Sequence, residues 1–174
     1  MSHYSLWLLP AADQEAELVR AMGRLRLVLG GEAFGPHLTV QGDLAQPLET
    51  LLQALPQMAA TVPVQRWRIR QVEMSEHFFR SLYLRFDDEP AFAALQAAMQ
   101  ELSGTGQGLS PYPHVSLSYG PAHAGKAALR EQLAGDWVGR VLTLDRLAVT
   151  NSAQSVAIGD WRVLAVQALG GAKA

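Results

Sequence analysis

Hydrophobic positions along the chain change period from two to about 3.6 and back, dividing it into alternating short strands and helices. Residues 4–9 form an aromatic, β-prone run stopped by Pro10, which predicts a strand. Leu18, Met22, Leu25 and Leu29 then fall on one face of a helix that Asp13 can cap and Gly30-Gly31 ends. His37-Leu38-Thr39-Val40 alternates as a brief strand. Leu48, Leu51, Leu52 and Leu55 mark a second helix, expected to close at Pro56, and 64–72 reads as a strand. The pattern then starts again. Leu82, Leu84 and Phe86 alternate with Ser81, Tyr83 and Arg85. Asp88 and Pro90 open a helix with Phe92, Leu95, Met99 and Leu102 on one side and Gly104 just past its end. A strand at 114–119, a helix at 124–133 and strands at 141–149 and 161–168 complete the chain.

This restart is an internal repeat. Ser5-Leu6-Trp7-Leu8 recurs as Ser81-Leu82-Tyr83-Leu84 at an offset of 76, and Pro36-His37-Leu38-Thr39-Val40 recurs as Pro113-His114-Val115-Ser116-Leu117 at an offset of 77. Two matches at nearly one offset, each at the same place in its series of elements, predict one domain of two related lobes. The lobes are about 1–76 and 77–150, related by a pseudo-twofold, with a final strand at 161–168. Two copies at so long a period do not make a solenoid.

Composition narrows the function. With 174 residues, 49% hydrophobic and 17% charged, the chain can build a core and is not of the disordered class. A net charge of −2 provides no bulk basic field for long duplex nucleic acid, whereas a short nucleotide needs only a local site. The absence of Cys excludes disulfides and thiolate metal cages and fits a reducing compartment. No basic leader and no apolar run near roughly 20 residues occurs, so a cytoplasmic protein without membrane association is expected.

Side chains two apart on a strand share a face, so His37 lies with Thr39 and His114 with Ser116, while Leu38, Val40, Val115 and Leu117 turn to the core. Pairing the lobes about a twofold brings two imidazoles and two hydroxyls to one cleft. That set suits phosphodiester chemistry without metal or cofactor. One neutral imidazole deprotonates water while the other, protonated, donates to the leaving oxygen, and histidine titrates near pH ~6.5. The hydroxyls and the imidazolium hold the non-bridging oxygens. Neither motif contains Arg, so any arginine clamp has to come from elsewhere. A bare His-x-Ser/Thr is common, and His3-Tyr4-Ser5 also fits. That copy lacks the preceding Pro, sits at a chain end and reads as accidental.

Other features carry weaker expectations. Trp7 and Tyr83 are equivalent in the repeat and suit either a base-stacking wall or core packing, Trp7 being the better candidate for a substrate contact. The Phe78-Phe79 turn is expected to tuck into the core. His77, His123 and the stripe of Arg66, Arg68 and Arg70 are expected to be solvated. Residues 104–108, glycine-rich but without a P-loop ending, read as a flexible connection.

The motifs around His37 and His114 resemble the paired H-x-[ST]-x motifs of the two-histidine phosphoesterase superfamily. Within it the chain is most similar to the plant and yeast type of cyclic phosphodiesterase. Residues 4–10 resemble that group's opening strand, His77-Phe78-Phe79-Arg80-Ser81-Leu82-Tyr83-Leu84 its aromatic loop and central strand, and 114–119 its second motif with the following Tyr. The resemblance implies a bilobal α+β fold with two antiparallel sheets around a central groove and helices outside. It also implies metal-independent opening of ribose 2′,3′-cyclic or ADP-ribose 1″,2″-cyclic phosphates. By position, His37 and His114 match the catalytic pair, Thr39 and Ser116 the phosphate-holding hydroxyls, and Tyr119 a ligand-contacting Tyr. The group's cysteines are absent. The expected partner is a small cyclic nucleotide or an RNA end, met by a monomer. The alternatives are an RNA-end 2′,5′ phosphodiesterase or ligase-like enzyme, with a basic rim beside the groove, and a non-catalytic nucleotide-binding module.

Overall fold

The strand and helix alternation is followed twice in the computed structural model, which describes residues 3–87, 90–121 and 124–170. The first pass is β1 (Tyr4–Pro10), α1 (Ala12–Leu29), β2 (Leu38–Leu44), α2 (Leu48–Thr61) and β3 (Gln65–Met74). A 3₁₀ turn at Phe78–Arg80 leads into the second: β4 (Leu82–Phe86), α3 (Pro90–Ser103), β5 (His114–Ser118), α4 (Ala124–Trp137) and β6 (Val141–Thr150). After a second 3₁₀ turn at Ile158–Asp160, β7 (Val163–Ala168) ends the series. The class is α+β.

The strands run β2-β1-β6-β3-β4-β5, with β7 on β6, and their pairings are antiparallel. If the two halves of the sequence are exchanged, this six-strand order reads the same from either end. β3 and β6, whose bounds lie 76 residues apart, meet in the middle, with Gln65 opposite Leu144 and Arg68 opposite Val141. Each has crossed to the other half's hairpin, β3 onto β4 and β6 onto β1. The halves therefore interlock, and the two expected sheets are joined into one seven-stranded sheet, six strands in the path and β7 beside β6. The physical reason is edge satisfaction. β1 and β4 would otherwise each leave one row of backbone N–H and C=O groups without strand partners.

The core is continuous across this junction. Leu38, Val40, Val115 and Leu117 turn inward as their strand parity requires. They pack in one cluster with Leu6, Leu8, Leu82 and Leu84, α1's Leu18 and Leu25, and α3's Phe92 and Met99. Burying each such Leu is worth roughly 1.5–3 kcal/mol, which fixes the opposite faces of β2 and β5, those with the polar side chains, at one cleft.

Several boundaries differ from the sequence expectation. Asp13 lies inside the first turn of α1, where its charge suits the helix dipole, and Ala11 is the uncapped residue before it. α2 continues through Pro56, because Leu55 and Ala59 are buried on either side of it and that packing outweighs the missing N–H. β2 extends to Leu44, α4 to Trp137, and the last strand starts at Val163. Asp88 and His123 lie outside the described residues. Among the described residues no helix is long and apolar enough to cross a membrane.

Candidate active site

His37 directly precedes β2 and His114 opens β5, so both rings project from the start of the second strand of their halves. Each is held by the same local device. The Nδ1 of His37 lies 2.7 Å from the carbonyl oxygen of Gly35 and that of His114 3.0 Å from the carbonyl oxygen of Tyr112, two residues upstream in both cases. A carbonyl only accepts, so each Nδ1 carries the hydrogen and donates it, which leaves Nε2 as the nitrogen that gains or loses a proton. Both rings line one cleft of about 200 Å³, together with Thr39, Ser116, Tyr119 and Trp7. The six residues singled out in the sequence thus meet in one place.

Burial governs the charge of the pair. His37 is 6% exposed and His114 9%, and desolvation pushes both imidazoles down to about 4, partly opposed by the backbone hydrogen bonds. His114 is pushed further by Arg80, Arg85 and His77, and His37 by His114. The resting cleft therefore holds two neutral imidazoles at pH 7.

The surroundings of the two rings differ. His37 lies flat on Trp7, with centroids 3.5 Å apart and planes 9° from parallel, and its Nε2 is 3.4 Å from the Tyr119 hydroxyl. Trp7, suited by its sequence position to either a base-stacking wall or core packing, lines the cleft and carries His37 on one indole face. Trp7, buried and with Trp161 edge-on at 5.9 Å, orients the imidazole. The equivalent Tyr83 meets His114 edge-on at 5.4 Å, and its hydroxyl bonds Glu73 at 2.6 Å and the Tyr112 hydroxyl at 2.8 Å. Burial, with those bonds, raises the Tyr83 phenol above its usual range.

Ser116 Oγ donates to the Phe79 carbonyl at 3.0 Å, so it must exchange that partner to donate to a phosphate. Thr39, half-buried, stands on the cleft wall. Tyr119 stacks on Phe34 with centroids 3.8 Å apart. Its backbone is held from beneath by Lys126, a lysine only 2% exposed. Its Nζ donates to Ser81 Oγ at 2.7 Å, to Pro121 O at 2.9 Å and to Tyr119 O at 3.5 Å. Burial lowers the Lys126 ammonium pKa.

Other residues join the cleft without a sequence signal strong enough to single them out. Phe78 is half exposed rather than tucked away, while Phe79 forms cleft wall between Tyr119 and Trp161. Ser5 lines the cleft, although the His3-Tyr4-Ser5 motif contributes no histidine there; its repeat with Ser81 was the usable clue. The glycine-rich segment is a pinned wall, not a loose connection. Gly42 N–H donates to Gly108 O at 2.7 Å, and Gln41 Nε2 donates to Thr105 O at 3.0 Å and Gln107 O at 2.6 Å. At Gly108, with φ +74°, a Cβ would sit 1.9 Å from the Gly42 carbonyl oxygen, so only glycine fits. Arg80 also lines the cleft, beside His77. The Arg66, Arg68 and Arg70 stripe is exposed on β3, with Arg70 paired to Asp87 at 3.0 Å. Among the described residues no three His, Cys, Asp or Glu side chains cluster to hold a metal ion.

Comparisons with known proteins bear on this geometry. Among curated proteins none matches the chain significantly. Among solved structures, TT0787 of Thermus thermophilus superposes with a TM-score of 0.64 at 18% identity over 98% of this chain and 99% of that one. E. coli LigT in its apo form gives 0.60 at 17% identity over 97% of each chain. LigT complexed with 3'-AMP gives 0.55 at 16% identity, over 97% of this chain and 98% of that one. Those likenesses establish the fold. The family model of the 2'-5' RNA ligase superfamily matches residues 14–155, a span that contains both anchored histidines, both hydroxyls and Tyr119, and the chain belongs to that superfamily of phosphoesterase and ligase enzymes.

Proposed function

We propose that the protein hydrolyses cyclic phosphodiesters of small nucleotides, ribose 2′,3′-cyclic phosphate or ADP-ribose 1″,2″-cyclic phosphate, without a metal and as a monomer. The observation that carries this reading is the matched anchoring of His37 and His114, which leaves two Nε2 atoms on one cleft for proton transfer. In the reaction, one Nε2 takes a proton from water as the water oxygen bonds phosphorus. The other Nε2 gives a proton to the ring oxygen as its P–O bond breaks, and the product is a phosphate monoester.

The unequal surroundings support a division of roles. Desolvation holds both rings neutral; the cations Arg80 and Arg85 add to it at His114, which suits the base, whereas the indole face under His37 offers a favourable contact to an imidazolium once one forms, which suits the acid. Substrate supplies the rest, since its anionic phosphate raises the pKa of whichever imidazole carries the proton. Thr39 and Ser116 hold non-bridging oxygens, and Tyr119 steadies His37 and meets the ligand. A cleft of about 200 Å³ favours a short substrate over an oligonucleotide.

The family's name supports a second reading, action on 2′,5′ linkages at RNA ends. A basic rim would favour it, but among the described lining residues only Arg80 and the histidines are basic, and Asp43 lines the same cleft. The test is a panel of cyclic phosphates and 2′,5′-linked oligonucleotides, with products identified by phosphorus NMR. Turnover of a 2′,3′-cyclic nucleotide is expected. Nucleotide binding with no turnover of any substrate would leave a binding module instead.

A further inference from the structure

We infer that Arg80 is a third substrate-contacting residue of the cleft, its guanidinium meeting the non-bridging oxygens of the bound phosphate on the His114 side. The inference rests on the phosphodiester reading above. The first observation is an orphaned donor: Arg80 Nε is buried without a hydrogen-bond partner in a side chain that lines the cleft. Buried donors are nearly always satisfied, so an unpaired one in a residue of the cleft wall points to an acceptor that arrives with a ligand.

The second observation is the missing counterion. Arg70, Arg140 and Arg146 each pair with a carboxylate, of Asp87, Glu17 and Glu15 respectively. Arg80 makes no ion pair among the described residues, and its guanidinium instead rests on the Tyr112 ring, 5.0 Å from the centroid. The same Tyr112 anchors the His114 ring through its carbonyl, so one residue positions both groups. The backbone is fixed as well. Arg80 N–H donates to His77 O at 3.0 Å, and the Arg80 carbonyl accepts from Ser75 Oγ. A floor of aromatic and backbone contacts leaves the planar fork available for an oxyanion.

The third observation is charge. Both histidines are neutral at rest and the Ser116 hydroxyl is committed to Phe79 O, so among the described lining residues Arg80 alone carries a permanent positive charge. Nothing equivalent exists in the other half, where the repeat places Tyr4 at the corresponding position, before Ser5 as Arg80 precedes Ser81. Arg80 therefore draws the phosphate charge to the His114 side before either imidazole is protonated, and it meets the charge that grows as water adds.

The test separates binding from turnover. Titrate inorganic phosphate into the wild type, Arg80→Met and Arg80→Lys at pH 7, and measure kcat/KM of each on a 2′,3′-cyclic nucleotide. Arg80→Met is expected to weaken phosphate binding at least ~10-fold and to lower kcat/KM by ~10², the scale for losing one oriented donor to a developing oxyanion. Arg80→Lys, which keeps the charge and loses the fork, should recover phosphate binding more than kcat/KM. Millimolar guanidinium should restore part of the activity of Arg80→Ala, which a purely structural role would not allow. Arg80→Gln keeps the stem and a planar donor and is held to the Arg80→Met criterion if that variant fails to fold. Wild-type phosphate affinity and kcat/KM in the neutral variants, or no phosphate binding by the wild type, would overturn the inference. Arg80-dependent phosphate binding by a wild type that turns over no cyclic phosphate would instead sink the functional reading and leave Arg80 in place.

Discussion

The His37 side and the His114 side of the cleft begin from the same five-residue pattern, the same Nδ1 to carbonyl anchor and the same desolvation. They end in different company. His37 is packed among rings, flat on Trp7 and within reach of the Tyr119 hydroxyl. His114 stands among Tyr83, Tyr112 and the cations Arg80 and Arg85. Duplicated backbone geometry thus leaves two equivalent Nε2 atoms, and in the proposed mechanism the residues packed around each give them unequal tasks. A symmetric site would have no built-in direction for proton flow, and an asymmetric one does.

The harshest way to break the comparison is to remove either ring. His37→Ala and His114→Ala should each lower kcat by ~10²–10⁴ while leaving the fold intact by circular dichroism, because the core strands do not depend on them. Near-native turnover in either folded variant would end the two-histidine mechanism. Next comes the hydroxyl pair. Thr39→Val and Ser116→Ala should reduce kcat/KM by ~10–100-fold, at or below the lower end expected for an oxyanion donor in a cleft open to water. The bell-shaped pH profile should survive in both. If one limb vanishes, that hydroxyl belongs to the proton path and not to phosphate binding.

Titration sharpens the comparison further. Both imidazoles sit at about 4 in the folded protein against about 6.5 unfolded, so the unfolded chain binds protons first. The stability tied to the neutral rings is fully present above pH 6.5 and is lost as the pH falls through 6.5 towards 4, by at most about 3 kcal/mol per histidine. Urea melts of wild type and of His37→Asn should part company across that window and run parallel above it. For catalysis, one ring must be protonated and one neutral. In the free enzyme that mixture is most populated on the acid side of neutrality, so kcat/KM should decline as pH rises above about 5. The limb seen in kcat should lie higher, because bound phosphate favours the imidazolium. A kcat/KM limb unmoved from pH 6.5 would mean that burial does not control these groups. The smallest expected effect is none: exhaustive EDTA treatment should leave activity unchanged, because the motifs contribute two imidazoles and no thiolate to hold a catalytic zinc. Loss on chelation, restored by one equivalent of a divalent metal, would refute that.

What the sequence by itself determined is whatever depends on neighbours along the chain. Periodicity placed β1, α1, β4 and α3 nearly to the residue. The parity of a strand decided that Leu38, Val40, Val115 and Leu117 face inward and that His37 shares a face with Thr39 and His114 with Ser116. The repeat, read as a pair of offsets, already implied one cleft. The tertiary structure alone decided contacts between segments far apart in sequence, for which no local signal exists. Strand parity does not say which edge a strand will choose, and so the crossing of β3 and β6 between halves appears only in the pairing. Trp7 carried the right type for a ring contact, but whether its face would meet a base or His37 depended on how β1 and β2 register. Gly108 looked like slack until Gly42 was seen against it. Arg80 drew no role from the sequence because its meaning comes from Tyr112 and His114, more than thirty residues on, and from a buried Nε that only packing can leave without a partner.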